Sequence, residues 1–306
     1  MEVKTTAAES PHLPRYYPQT GHTIAGPFLS YYDAHQGQET FGYPITEAME
    51  HEGWQVQYFQ FARLELHPEN EPAYFVTVGW LGDLLHRRRP PVPERNIPPV
   101  GNADRRYFPE SGHTVTGVFL DYFEANGDTV RFGRPISEPF LQDGLIVQDF
   151  QSARLIWRPD LPPGQQVQLA PIGETYFLTS DLPFDHLQPL AGPTGAQLAN
   201  QDLTPGITIR NGLVRLEPTP RPGVMRARVY LEAEGQPAGG VPATLVIEAG
   251  AGRQTRLVRP LPPTRSSGES HILLDLSTEG VQAPLHISLF DETQTTLLGE
   301  LAVNDW

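Results

Sequence analysis

The chain contains no cysteine, so it has no disulfide framework, no thiol nucleophile and no thiolate metal site. Lysine is nearly absent as well. Lys4 is the only one, which leaves no candidate in the folded body for Schiff-base or other lysine chemistry. Basic residues are outnumbered, with 22 Lys and Arg against 36 Asp and Glu and a net charge of -14. That balance excludes a nucleic-acid partner, because affinity for a polyanion comes from neutralising its phosphates. No run of about 18 apolar residues exists, so no transmembrane segment is expected. The start, MEVKTTAAES, lacks the apolar stretch of a signal peptide, leaving either a cytoplasmic protein or one from which an export signal was removed.

The 306 residues are 39% hydrophobic, with 28 Gly and 32 Pro, as expected of a folded, turn-rich, mainly β protein. The sequence is written twice. Shifting it by 91 positions aligns Arg15–Asp83 with Arg106–Glu174 without a gap, and roughly 28 of the 69 positions are identical. The shared residues include His22 and His113, Phe28 and Phe119, Pro44 and Pro135, Glu47 and Glu138, and Arg63 and Arg154. Most are aromatic, glycine or proline, the types that fill cores and fix turns.

In each copy, GPFLSYYDAHQG or its counterpart has the apolar spacing of a short helix. Thr23 is the expected cap and Gly37 the stop. WQVQYFQFARLELHP and LIVQDFQSARLIWRP alternate at period two on either side of Gln60-Phe61 and Gln151-Ser152, which predicts a hairpin. Each copy is therefore a helix-plus-hairpin unit too small to bury a core alone, expected to pack on its twin or on a neighbour. The predicted boundaries are an N-terminal tail over 1–14, repeat units over 15–85 and 106–180, and linkers over 86–105 and 181–205. The first linker, with its Arg87, Arg88, Arg89 run, reads as a semi-rigid, solvated spacer. From 206 to 306, short β-type runs from ITIR to TTLLGELAV recur every eight to twelve residues or so, predicting an antiparallel β-sandwich of immunoglobulin-like type.

The runs FGYPITEAMEHEGWQVQYFQFARLELHP and FGRPISEPFLQDGLIVQDFQSARLIWRP resemble the LGFP repeats of bacterial cell-envelope proteins, with Phe41 and Phe132 in place of the family's leucine. The resemblance covers about half the chain. It implies a secreted or cell-surface protein that attaches to or recognises envelope polysaccharide, beside a catalytic domain not visible in this chain.

The residues point to chemistry only weakly. His22 and His113 are positioned for a loop-tying hydrogen bond or for acid–base or metal chemistry, but no HExxH or H-x-H spacing accompanies them. Glu47 and Glu138 invite a glycosidase reading, yet each occupies the same place in a separate copy and closes a turn more simply. Trp54, Tyr58, Trp80 and Trp157 offer flat rings for sugar stacking, with Arg63 and Arg154 as donors, or else they fill the cores. The reading is a non-catalytic glycan-binding or adhesion protein without cofactor or metal. The alternatives are a structural subunit of a surface assembly, with other surface proteins as partners, and a divergent hydrolase using the repeated His and Glu.

Overall fold

In the computed structural model the described residues are 13–187, 197–198 and 211–303, apart from Pro18, Val100 and positions 251, 253–254, 266–267, 277–280, 282 and 292. Strands predominate over short helices among them, and nearly all pairing is antiparallel.

The first copy runs β1 (Arg15–Tyr17), β2 (His22–Ile24), α1 (Gly26–Ala34), α2 (Gly37–Thr40), β3 (Met49–His51), β4 (Trp54–Tyr58), β5 (Arg63–Leu66), β6 (Val76–Val78) and α3 (Leu81–Leu84). The second repeats that order as β7 (Arg105–Phe108), β8 (His113–Thr116), α4 (Val118–Ala125), α5 (Asp128–Phe132), β9 (Phe140–Gln142), β10 (Leu145–Asp149), β11 (Arg154–Trp157), β12 (Val167–Leu169) and α6 (Ile172–Thr179). The hairpins expected at Gln60-Phe61 and Gln151-Ser152 are β4–β5 and β10–β11, each the centre of a four-stranded antiparallel sheet. A further short strand, β13 (Gln197–Leu198), pairs parallel with β1.

The helix α1 buries Phe28, Leu29 and Tyr32, and α4 buries Phe119, Leu120 and Phe123. They meet Phe41 and Phe59 in one copy and Phe132 and Phe150 in the other. Each such side chain contributes about 1.5–3 kcal/mol on burial. The expected cap is corrected: α1 starts at Gly26 with Ala25 as N-cap and no side-chain cap bond, and Thr23 lies inside β2. Gly37 is also not a simple stop, since α1 ends at Ala34 and Gly37 opens α2.

The copies hold each other through their last helices. Gly82 in α3 lies against the β10–β11 turn of the second copy, where its amide donates to the Gln151 carbonyl at 2.7 Å. Gly173, its counterpart in α6, lies against the β4–β5 turn of the first, and the neighbouring Glu174 amide donates to the Gln60 carbonyl at 3.3 Å. A β-carbon on Gly82 would sit 2.0 Å from the Phe150 oxygen, and one on Gly173 1.9 Å from the Phe59 oxygen. Both contacts are with backbone, so no side chain can turn aside. Leu81 and Ile172 share a small core beneath the exchange, and Phe177 and Leu182 extend it over Tyr58 and Val56.

The segment after α3 is mostly exposed, as expected of a solvated spacer, but it is tethered as a strap along the second copy. The Arg89 amide donates to the Ile136 carbonyl at 2.8 Å and the Val92 amide to the Gly112 carbonyl at 2.9 Å. The expectation for the arginine run is corrected at Arg87, whose mostly buried side chain lies 3.6 Å from the buried Asp149 carboxylate. Burial and the nearby Arg154 charge pull the Arg87 guanidinium below its usual range.

The C-terminal strands are β14 (Asn211–Pro218), β15 (Val224–Ala233), β16 (Gln236–Pro237), β17 (Ala243–Ala249), β18 (Thr255–Leu261), β19 (Glu269–Asp275), β20 (Leu285–Asp291) and β21 (Leu297–Val303). One sheet joins β14, β15 and β19, with β16 at the end of β15, and the other runs β18-β17-β20-β21. Val229, Leu231, Leu245, Ile247, Ile287 and Leu289 from the two sheets share one core. The ITIR run lies outside the described residues.

The β15–β19 sheet docks on the exchange through a buried acid. Glu174 Oε2 accepts from Arg226 at 3.1 and 3.2 Å, and Glu174 Oε1 lies 2.8 Å from His271 Nε2. Burial pushes the Glu174 carboxyl up, but the charges of His271 and Arg226 and their hydrogen bonds outweigh it and hold it below the usual range. A carboxylate depressed in the folded state stabilises it above the unfolded value, about 4.3, and that contribution fades as pH falls through the folded value. Glu174→Gln should therefore cost about 3–5 kcal/mol in denaturant unfolding at pH 7, with the difference from wild type shrinking below about pH 4. Gly173→Ala should destabilise at least as much at every pH, since its clash does not titrate.

Candidate functional site

The four repeated candidates form two separate hydrogen-bonded brackets, one per copy. His22 and His113 are buried, each with Nδ1 near its own carboxylate, 3.5 Å from Glu47 and 3.4 Å from Glu138. The Glu47 carboxylate accepts from the Thr23 amide at 2.8 Å and the Glu138 carboxylate from the Thr114 amide at 2.7 Å. Gln57 Nε2 donates to the Thr23 and Thr46 carbonyls at 2.9 and 2.8 Å, and Gln148 does the same to Thr114 and Ser137 at 2.6 and 2.9 Å. Each bracket thus ties the first hairpin to the turn before β3 or β9. Burial raises the Glu138 carboxyl, and the adjacent His113 ring together with the hydrogen bonds from Thr114 more than reverses it, leaving it lowered. The two histidines belong to different brackets, and no group of three or more candidate metal ligands occurs among the described residues.

The aromatic and arginine candidates divide. Tyr58 is fully buried, its hydroxyl 2.8 Å from His51 Nδ1 and accepting from Arg63 at 3.3 Å, so its face is not available to a ligand. Burial pushes the Tyr58 phenol up. Arg63 is held by Glu65 at 2.5 and 2.8 Å and by Glu52 at 3.0 Å. Arg154 is held by Asp149 at 2.6 and 2.9 Å and by Gln142 at 3.0 Å. Trp157 packs at the edge of the second copy's core. Trp54 and Trp80 are the exposed ones, at 37% and 55%.

Those two indoles mark one cleft. Arg63, Glu65, His67, Asn70, Thr77, Trp80, Asp83 and His86 line an open volume of about 560 Å³ beside β5, β6 and α3. Trp54 stands at its margin with its ring 4.2 Å from that of His67. His67 in turn lies 3.2 Å from Glu65 and 3.0 Å from Glu69, which fixes its ring. The volume lies within the usual range for ligand pockets, about 300–1,000 Å³.

The 91-residue shift explains why the cleft is open. His67, Asn70 and Asp83 correspond to Arg158, Leu161 and Glu174. In the second copy, Arg158 pairs with Glu269 of the sandwich at 3.2 Å and Glu174 with Arg226 and His271. The sandwich therefore covers on the second copy the surface that stays uncovered on the first. Where the second copy has Leu145 and Pro171, the first has Trp54 and Trp80. Of the cleft residues, Trp54, Trp80 and the shared Arg63 are candidates on residue type, whereas most of the remaining lining comes from positions at which the copies differ. His67, Asn70, Thr77, Asp83 and His86 were not singled out, although the shift already shows His67 and Asn70 as departures.

Among known proteins, no family model and no curated sequence matches this chain. The brackets carry a prediction of their own. Glu47→Ala and Glu138→Ala each strand a backbone amide and a histidine, and should each lower unfolding stability by about 1–3 kcal/mol.

Proposed function

We propose that the protein is a non-catalytic carbohydrate-binding module of the bacterial envelope or cell surface, with the first-copy cleft as its sugar site. The observation that carries the reading is the pair of exposed indoles, Trp80 and Trp54, beside polar Asn70, Thr77 and Asp83, on the copy whose equivalent surface is not covered by the sandwich. Flat aromatic faces bind the apolar faces of sugar rings, while neighbouring amides, hydroxyls and carboxylates accept and donate to their hydroxyl groups. The LGFP resemblance supplies the envelope and polysaccharide part of the proposal. The repeated His and Glu, closed into brackets in which the histidines are buried and the glutamates partly exposed, are scaffold on this reading.

The C-terminal domain is read as an immunoglobulin-like sandwich. Labelled A to G along β14, β15, β17, β18, β19, β20 and β21, its strands place A, B and E in one sheet and C, F and G in the other, with β18 added beside C. That order supports the assignment. Its role is to brace the second copy, with lighter contacts to the first at Glu39, Gln60 and Phe61, and to leave the first-copy cleft open.

A second reading, a subunit of a surface assembly, draws on the same relation between the copies. A β-domain of another molecule carrying an arginine toward Asp83 would seat on the first copy as the sandwich seats on the second. Affinity electrophoresis or pulldown on insoluble envelope polysaccharide separates the two. Sugar binding predicts retention that falls about tenfold in Trp80→Ala, or 1.4 kcal/mol, and is unchanged in Trp157→Ala. Retention unaffected by Trp80→Ala and Trp54→Ala, with concentration-dependent association in light scattering, would reject the sugar site in favour of the assembly.

A further inference from the structure

A second pocket lies where the two copies' helical turns face each other. It has a volume of about 230 Å³ and is lined by Tyr31, His35, Thr40, Asn126, Val130 and Arg131, among others. In bulk-water terms that is room for several solvent molecules, each taking about 30 Å³. Its rings are ordered: His35 stacks on Tyr31 at 4.0 Å, and its Nδ1 lies 2.8 Å from the Tyr31 carbonyl oxygen.

The pocket's charge is unbalanced. Arg131 donates to the carbonyls of Asn126 at 3.3 Å and Thr40 at 3.2 Å, and lies over the Phe132 ring. Arg265 arrives from the sandwich, donates to the Glu39 carbonyl at 3.5 Å and lies over the Phe61 ring, 4.5 Å from its centre. Its Nε is buried without a partner. The two guanidinium groups therefore reach adjacent carbonyls, Glu39 and Thr40, from different domains. Neither forms an ion pair with a carboxylate among the described residues. Burial, and the like charge of Arg265, lower the Arg131 guanidinium below its usual range, with Glu39 and Tyr122 opposing from nearby. A buried cation without a counter-charge is costly, and an anion arriving beside it removes that cost.

The duplication supplies an internal control for a purely architectural role. The position of Arg131 is filled by Thr40 in the first copy, and α2 folds there without a guanidinium. The arginine is thus an addition to this helical turn rather than a requirement of it. Arg265 belongs to the sandwich, so the convergence arises only when all three parts of the chain are assembled.

We infer that this pocket is an oxyanion site, taking a phosphate, sulfate or carboxylate group against Arg131, the guanidinium that lines it, with Arg265 outside the lining. A planar fork of donors matches such groups geometrically, and the flanking aromatic rings accommodate a small organic body attached to them. The site is separate from the sugar cleft and does not depend on it.

The test is thermal unfolding of the full chain in sodium phosphate, sodium sulfate or sodium glucuronate, each against sodium chloride of equal ionic strength. A saturable rise in Tm with at least one of the three oxyanions, absent in Arg131→Thr and retained in Arg88→Gln, is the expected result. Phosphate or sulfate acting alone assigns a tetrahedral anion, and glucuronate acting alone assigns a sugar acid. Arg131→Thr itself should leave the Tm in chloride unchanged or higher. A lower Tm in chloride for Arg131→Thr, together with no oxyanion-specific rise in wild type, would show the arginine to be a carbonyl cap and overturn the proposal. An equal rise in wild type and Arg131→Thr would also overturn it.

Discussion

Everything in the repeat body depends on two glycines at which one copy's helix meets the other copy's backbone. At Gly82 and Gly173 the approach is closer than any side chain allows, so helix and hairpin turn behave as one packed element. The exchange is reciprocal: each copy contributes its closing helix to its twin and receives one in return. Neither four-stranded sheet with its small aromatic core is large enough to stand well alone, and the exchange joins the two into a body of ordinary domain size.

Exchange between equal partners creates two equivalent surfaces, and the chain uses them differently. On the second copy, Glu174 is buried under Arg226 and His271, and Arg158 reaches Glu269, so the surface becomes a domain interface. On the first, the corresponding Asp83 pairs with Arg88 from the strap at 2.7 Å and accepts from Gln151 at 3.2 Å. The surface beside it remains a cleft edged by tryptophan. Duplication provides the scaffold twice, and divergence at a handful of positions makes one copy a dock and the other a candidate binding site. The proposed oxyanion pocket follows the same logic, with Arg131 added where the twin has Thr40.

Much of the fold is legible in the sequence because it is local. Period-two alternation marks the β4–β5 and β10–β11 hairpins, and apolar spacing marks α1 and α4. Seven of the C-terminal runs correspond to β14, β15 and β17 to β21. What is not legible is long-range. Thr23 looks like a helix cap because its type suits one, but its amide is claimed by Glu47, 24 residues away. Arg87 looks solvated in a basic run, yet the strap carries it onto Asp149. The cleft was half visible: Trp54 and Trp80 could be named from residue type, but His67 and Asp83 acquire meaning only once the sandwich is seen covering their counterparts. Tyr58 shows the opposite error, a ring suited to sugar that the exchanged α6 buries under Tyr176 and Phe177.

The central claim, that the copies form one cooperative body through the exchange, is tested most directly by native-state hydrogen exchange on Phe123→Ala, a core truncation confined to the second copy. The account predicts that amides in β4 and β5 of the first copy lose protection by the same free energy as those in β10 and β11, because neither hairpin opens without releasing the helix seated on it. Loss of protection limited to the second copy, with β4 and β5 unchanged, would contradict it.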